Sequence, residues 1–234
     1  NLEIGELAMA LIDINLDMQD FGLGKYDLNF TLEADYIDLL DENYHYSFTF
    51  PVSIDISLNQ PGFPYELDFE VRGSPLVIDL NNNGQNEIIF GDYSGAIHVL
   101  DKNGIELEGF PYMVGDQIWA SAASGDLSGD GNLEFVIASK DNNIYIFDQF
   151  GLKTTYNANS YLIGTPAIGN LDSDSDLEIV FAGYSSSERN IYVINEDGSD
   201  VSGFPLDIGE KTLRGVALAD FDGNGLDDII VGTD

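Results

Sequence analysis

The chain has 234 residues, 42 Asp plus Glu against 8 Lys plus Arg, a formal net charge of -34 and a pI of about 4.1. Apolar residues make up 44%, enough for a packed core and against wholesale disorder. The sequence has no basic cluster to neutralise phosphates, no apolar run long enough for a membrane-spanning helix and no Cys, which excludes a nucleic-acid reader, disulfides and thiol catalysis.

The first residue is Asn1, as expected of a processed or excised piece. Residues 1–60 carry short alternating segments. Ile12, Ile14 and Leu16 share one side of a strand over 11–16, Leu28, Phe30 and Leu32 alternate in the same way, and Tyr46, Phe48 and Phe50 alternate within 44–56. Turns are expected over 17–24 and 40–43. The segment reads as a small β-sandwich-like unit with a marginal core of its own.

From residue 61 the sequence repeats. Four acidic loops superpose: Asp79-Leu-Asn-Asn-Asn-Gly-Gln-Asn-Glu87, Asp126-Leu-Ser-Gly-Asp-Gly-Asn-Leu-Glu134, Asn170-Leu-Asp-Ser-Asp-Ser-Asp-Leu-Glu178 and Asp220-Phe-Asp-Gly-Asn-Gly-Leu-Asp-Asp228. Their starts lie 47, 44 and 50 residues apart. A strand-like run precedes and follows each loop. Third strands are expected over 97–100, 144–147 and 191–194. Gly109-Phe110-Pro111 and Gly203-Phe204-Pro205 mark fourth strands, and residues 154–161 take that place in the second unit. No segment has a helical period, and the gaps are too short for helical crossovers. The fold class is therefore all-β, with four-stranded antiparallel units of a β-propeller over 61–234. Ala122, Ala123, Ala167, Ala217 and Ala219 suit crowded inner strands; Tyr145, Phe147 and Tyr192 suit packing between units.

Positions 1, 3, 5 and 9 of each loop carry oxygen side chains. They are Asp79, Asn81, Asn83 and Glu87; Asp126, Ser128, Asp130 and Glu134; Asn170, Asp172, Asp174 and Glu178; Asp220, Asp222, Asn224 and Asp228. Position 7 can add a backbone carbonyl, from Gln85, Asn132, Asp176 or Leu226. Gly84, Gly131 and Gly225 at position 6 permit a sharp turn, whereas Ser175 there requires a strained one if the backbone is left-handed. An all-oxygen mixed ligand set at this spacing favours a hard cation, calcium over magnesium, at up to four sites. The alternative for each loop is an Asx-rich turn without metal. The first loop, with only Asp79 and Glu87 as carboxylates, is expected to be the weakest. His45 and His98 form no zinc spacing and read as ordinary polar residues.

Strand, Asp-x-Asp-x-Asn-Gly-x-x-Asp, strand, Gly resembles the FG-GAP or VCBS-type repeat of integrin-alpha-like propellers. The run from Ala219 through Asp220, Asp222, Asn224, Gly225 and Asp228 to Gly232 carries the resemblance most closely. Ser175 and the second unit's lack of Gly-Phe-Pro depart from it. The resemblance implies an extracellular, calcium-stabilised propeller, commonly of seven blades, and covers about 62–234.

Three units are complete; the fourth ends after its second strand, and Gly62-Phe63-Pro64-Tyr65 resembles the last strand of an earlier blade. The expectation is an incomplete propeller, completed by the remainder of a larger polypeptide or by neighbouring subunits. No nucleophile motif, phosphate loop or His-metal motif is present, so the chain reads as non-catalytic. The expected function is an extracellular or cell-surface adhesion or scaffold module whose calcium clamps the first two strands of each blade. The alternative is an accessory substrate- or glycan-binding module of a larger secreted enzyme. Its partner would be an extracellular protein or carbohydrate. Trp119, Tyr93, Tyr184 and Arg189 are candidate recognition residues, although Trp119 is also placed for packing near the axis.

Overall fold

The computed structural model describes residues 24–37, 42–56, 60 and 62–233. Contacts divide the chain into two compact units, Asn1–Asn59 and Gln60–Asp234.

In the first unit, β1 (Gly24–Ile37) pairs antiparallel with β2 (Asn43–Ile56), in register from Gly24 opposite Ile56 to Ile37 opposite Asn43. Period-two alternation gives the hairpin two chemically different faces. Leu28 opposite Val52, Phe30 opposite Phe50 and Leu32 opposite Phe48 form the apolar face, where Phe30 and Phe50 stack with ring centroids 5.9 Å apart. The polar face carries Ser53 Oγ donating to Asp27 (2.5 Å), a Thr31–Thr49 hydroxyl pair (2.8 Å) and His45 on Asp35 (2.8 Å). The alternation of 28–32 and 44–56 thus forms two long paired strands. Within the first unit the described residues form this one two-stranded sheet. The expected strand over 11–16 and most of the turns expected over 17–24 and 40–43 lie outside the described residues.

The second unit contains three four-stranded antiparallel meanders and a two-stranded start of a fourth. The first holds β3 (Leu76–Ile78), β4 (Glu87–Gly91), β5 (Ala96–Leu100) and β6 (Tyr112–Met113). The second holds β7 (Ala123–Gly125), β8 (Glu134–Ala138), β9 (Asn143–Asp148) and β10 (Gly151–Asn157). The third holds β11 (Ala167–Gly169), β12 (Glu178–Ala182), β13 (Asn190–Ile194) and β14 (Leu206–Asp207), and the fourth β15 (Val216–Ala219) and β16 (Asp228–Val231). No helix is present among the described residues, and the propeller is not closed.

The fourth strand of the second meander differs from expectation. It covers Gly151–Asn157 rather than 154–161, because Asp148 Oδ1 accepts the Phe150 N–H (2.7 Å) and turns the chain back at once. A bulge between Leu152 and Thr154 then absorbs one residue.

The second strands of the three complete meanders, rich in Ile, Val and Phe, are buried on both faces, and alternation assigns each face to a different neighbour. Phe135 and Ile137 of β8 pack with Ile89, Ile97 and Val99 of the first meander, while Val136 and Ala138 pack with Ile179 and Phe181 of the third. Val180 and Ala182 of β12 in turn face Val216, Leu218, Ile229 and Val231. Burying each large apolar side chain stabilises the fold by about 1.5–3 kcal/mol. Cross-strand rings recur within units, Phe135 on Phe147 (4.9 Å) and Phe181 on Tyr192 (5.0 Å), and Phe147 also meets Tyr112 of the first meander (5.2 Å), as expected of aromatics between units.

Candidate metal centres

Each acidic loop joins the end of an inner strand to the start of the next, so all four lie at the same end of their meanders. The position-9 carboxylate folds back in every copy. Glu87 accepts the Leu80 N–H (2.9 Å), Glu134 that of Leu127 (3.1 Å), Glu178 that of Leu171 (2.6 Å) and Asp228 that of Phe221 (3.0 Å). Position 5 tightens the turn by accepting the position-7 amide: Asn83 from Gln85, Asp130 from Asn132, Asp174 from Asp176 and Asn224 from Leu226, at 2.8–3.0 Å. Position 3 accepts the position-5 amide in three copies, through Asn81, Asp172 and Asp222.

Position 1 separates the third loop from the rest. Asp79, Asp126 and Asp220 each accept the position-5 and position-6 amides with their two oxygens. In those loops positions 4 and 6 are both left-handed: Asn82 and Gly84 (φ 55° and 83°), Gly129 and Gly131 (68° and 88°), Gly223 and Gly225 (77° and 91°). Neither Ser173 nor Ser175 has positive φ. The strain expected at Ser175 is therefore avoided, because this loop follows another backbone path and Asn170 does not clasp the turn.

That path leaves two buried oxygens without a partner, Asn170 Oδ1 and Glu178 Oε1, at positions 1 and 9 of the same loop. Asp172, Asp174 and Glu178 bring carboxylate oxygens within 4.8 Å of one another, and so do Asp220, Asp222 and Asp228. Glu178 is fully buried, and burial pushes its pKa up, with Asp172 and Asp174 adding to the rise. Glu87 is also raised, by burial and by the charge of Asp79. The donor set fits a hard divalent cation: an unpartnered amide oxygen, an unpartnered carboxylate oxygen and two further carboxylates in the third loop, three carboxylates in the fourth.

The second loop has three carboxylates in sequence, but Glu134 Oε1 accepts from Lys153 Nζ (3.1 Å), and this ammonium also reaches Glu196. A cation from β10 thus meets the charge of Glu134 inside the protein. Neighbouring loops are joined as well. Asn82 Nδ2 donates to Gly131 O, Leu177 N to Leu127 O, and Asp227 N to Asn170 O.

Sequence reasoning missed a second ionisable cluster. His98 is buried between Glu106 (2.5 Å) and Asp92 (3.4 Å), stacked on Phe90 and capped by Tyr65, whose hydroxyl donates to Glu106. His98 is thus more than an ordinary polar residue. Burial opposes its charge, and the two carboxylates outweigh burial and raise its pKa. Only its position opposite Phe90, where the second and third units have Tyr145 and Tyr192, signals an inward-facing side chain.

Residues 170–231 match the family of the FG-GAP-like repeat. The match covers the third and fourth loops, the two that gather three carboxylates, and bears out the resemblance there. Among solved structures, BBS1N in complex with ARL6DN, soaked with lead, is similar with a TM-score of 0.50 at 12% identity, covering 70% of this chain and 48% of that one. The same complex soaked with mercury gives 0.49 at 14%, covering 82% and 55%. The C-terminal domain of Pseudomonas aeruginosa PilY1 gives 0.45 at 16%, covering 64% and 37%. This chain spans about half the length of the first structure. No curated protein matches in sequence.

Proposed function

We propose that residues 60–234 form a non-catalytic, calcium-binding propeller module that serves adhesion or scaffolding at an extracellular or cell-surface location. The single observation that carries the metal reading is the third loop's pair of buried, unpartnered oxygens, those of Asn170 and of Glu178, the latter clustered with Asp172 and Asp174. A buried carboxylate oxygen without a donor is costly, and a divalent cation removes both the desolvation and the mutual repulsion. Bound calcium would tie β11 to β12 and β15 to β16, so that binding energy becomes folding energy. Asp79, Asn81, Asn83 and Glu87 would hold a weaker ion, and Asp126, Ser128, Asp130 and Glu134 one that competes with Lys153. Loops this exposed, with mixed ligands, suit the weak affinities of extracellular calcium modules.

A partner surface is supported by the fourth sheet. Ile230 of β16 is 42% exposed, whereas the equivalent Val136 and Val180 are fully buried. The free edge and half-exposed face of β15–β16 fit completion by further strands, from the same polypeptide or a neighbouring subunit. The test of the metal reading is thermal unfolding in calcium, in magnesium at equal ionic strength and in chelator. A calcium-specific rise in Tm supports it; superposable transitions in all three refute it.

A further inference from the structure

The end of the meanders opposite the acidic loops gathers most of the chain's basic residues, interspersed with acidic ones such as Asp92, Asp116, Asp141, Glu188 and Glu210. Arg72 precedes β3, Lys140 lies between β8 and β9, Arg189 between β12 and β13, and Lys211 and Arg214 between β14 and β15. Antiparallel order places all of these connections at that end, so five of the chain's eight basic residues collect there. None of the five is ion-paired with a described carboxylate; among the described residues Lys153 is the one Lys or Arg that is.

The starts of the four inner strands meet there around a cavity of about 330 Å³. This is at the small end of ligand pockets, about 300–1,000 Å³. Arg72, Trp119 and Arg214 line it, together with hydroxyl residues from the first three units, Ser74, Ser121 and Thr165. In a chain with 42 acidic residues, no Asp or Glu is among the described residues lining it.

Arg72 is held in place. The Arg72 guanidinium lies 4.1 Å from the centroid of Trp119 and donates to the Tyr93 hydroxyl at 3.0 Å. Tyr93 stacks with Trp119 at 5.8 Å, and Lys140 Nζ stands 4.8 Å from the same indole. The indole N–H and Lys140 both donate to Gln117 Oε1, which fixes the ring. Ser121 Oγ accepts the Ser74 N–H (2.8 Å), and Thr165 Oγ1 accepts the Ser121 N–H (3.2 Å). A hydroxyl that accepts a backbone amide still has its own proton to donate. Neither of these two donates to a described residue.

We infer that this axial pocket binds a small carboxylate-bearing ligand, with Arg72 and Arg214 supplying the charge and the Ser121 and Thr165 hydroxyls the neutral donors. A guanidinium immobilised on an aromatic face loses little freedom when it meets a planar carboxylate. Cations without a carboxylate partner need no salt bridge broken beforehand. The site does not rest on the calcium reading: it lies at the other end of the inner strands and uses none of the loop oxygens.

Trp119 is the chain's single tryptophan, so its fluorescence reports the pocket directly. The full chain, folded at saturating calcium and low ionic strength, is titrated with triglutamate, with digalacturonate and with trilysine, followed by fluorescence and calorimetry. At least one carboxylate probe should give a saturable signal that trilysine does not, and the stronger of the two tells an acidic peptide source from a uronate sugar. The double variant Arg72→Gln/Arg214→Gln should weaken that binding by at least about tenfold, the loss expected of charge-assisted pairs. Its melting curve in calcium and in chelator shows whether fold and metal response are intact; if the fold is lost, Arg214→Lys replaces it, keeping the charge but removing the fork, and should weaken binding less than Arg214→Gln. Absence of saturable binding by both carboxylate probes, or equal affinity in the folded variants, overturns the assignment whatever calcium does.

Discussion

Glu178 accepts the Leu171 N–H with one carboxylate oxygen at 2.6 Å and keeps the other buried with no hydrogen-bond partner. The first oxygen is structural: it closes the loop onto β11 as its equivalents do in the other three copies. The second adds nothing to a metal-free fold. Glu178→Gln should therefore raise Tm in chelator by removing one buried charge from a cluster of three, and should shrink the rise produced by calcium. Thermal unfolding of both proteins with and without calcium measures this. A variant less stable in chelator and unchanged in its calcium response contradicts the assignment.

The turn at Asp197 provides a matched control for the loop at Asp220. Asp220 clasps the amides of Gly223, Asn224 and Gly225 and stands within the fourth carboxylate cluster. Asp197 accepts the Ser199 amide and hydroxyl but has no such cluster. Asp220→Ala should lower stability and also reduce the calcium-induced rise in Tm. Asp197→Ala should lower Tm modestly and by the same amount in calcium and in chelator. Equal calcium responses in wild type and both variants would remove Asp220 from the ligand set.

Core packing yields a prediction that does not involve metal. Phe147 is fully buried and stacked on Phe135, with Phe110 and Tyr112 of the first meander against it. Phe147→Ala should cost about 3–5 kcal/mol, as other buried Phe truncations do. In a domain of this size each kcal/mol moves Tm by about 2–4 °C. Phe150, only three residues away, is 87% exposed, and Phe150→Ala should leave Tm almost unchanged. Chemical denaturation of the two variants compares them directly.

Local chemistry was legible in the sequence, and long-range geometry was not. The repeat of Asp79, Asp126, Asn170 and Asp220 located every inner strand and loop, because each loop is closed by its own side chains within nine residues. The glycines at position 6 announce left-handed turns; the same conformation at position 4 is filled by Asn82 in the first loop and has no glycine there to signal it. Two contacts at the loops have no local signal at all. Glu134 meets a lysine nineteen residues on, and Asn170 bonds to Asp227 of the following loop, and no spacing rule announces either. Trp119 and Tyr93 were both picked out as candidates, but their meeting with Arg72 depends on how two meanders pack. Tyr184, by contrast, lies under Lys211 rather than with them.

His98 gives the pH prediction. Its partners are Asp92, Glu106 and, at the ring edge, Tyr65; the pKa of Asp92 is lowered despite its burial, by bonds from Ser94, Ala96 and His98, while that of His98 is raised. A histidine whose folded pKa exceeds its unfolded value binds a proton more tightly when folded. Its contribution to stability is fully present below the unfolded value of about 6.5 and is lost as pH rises through the folded pKa. The depressed Asp92 acts in a lower window, where stability is lost as pH falls, so the two separate. The difference in unfolding free energy between wild type and His98→Gln should thus be largest in mildly acidic solution and shrink toward alkaline pH. Denaturant unfolding at saturating calcium across that range measures it. A difference that stays constant with pH would mean that His98 has the same pKa folded and unfolded, so that Asp92 and Glu106 do not hold its proton.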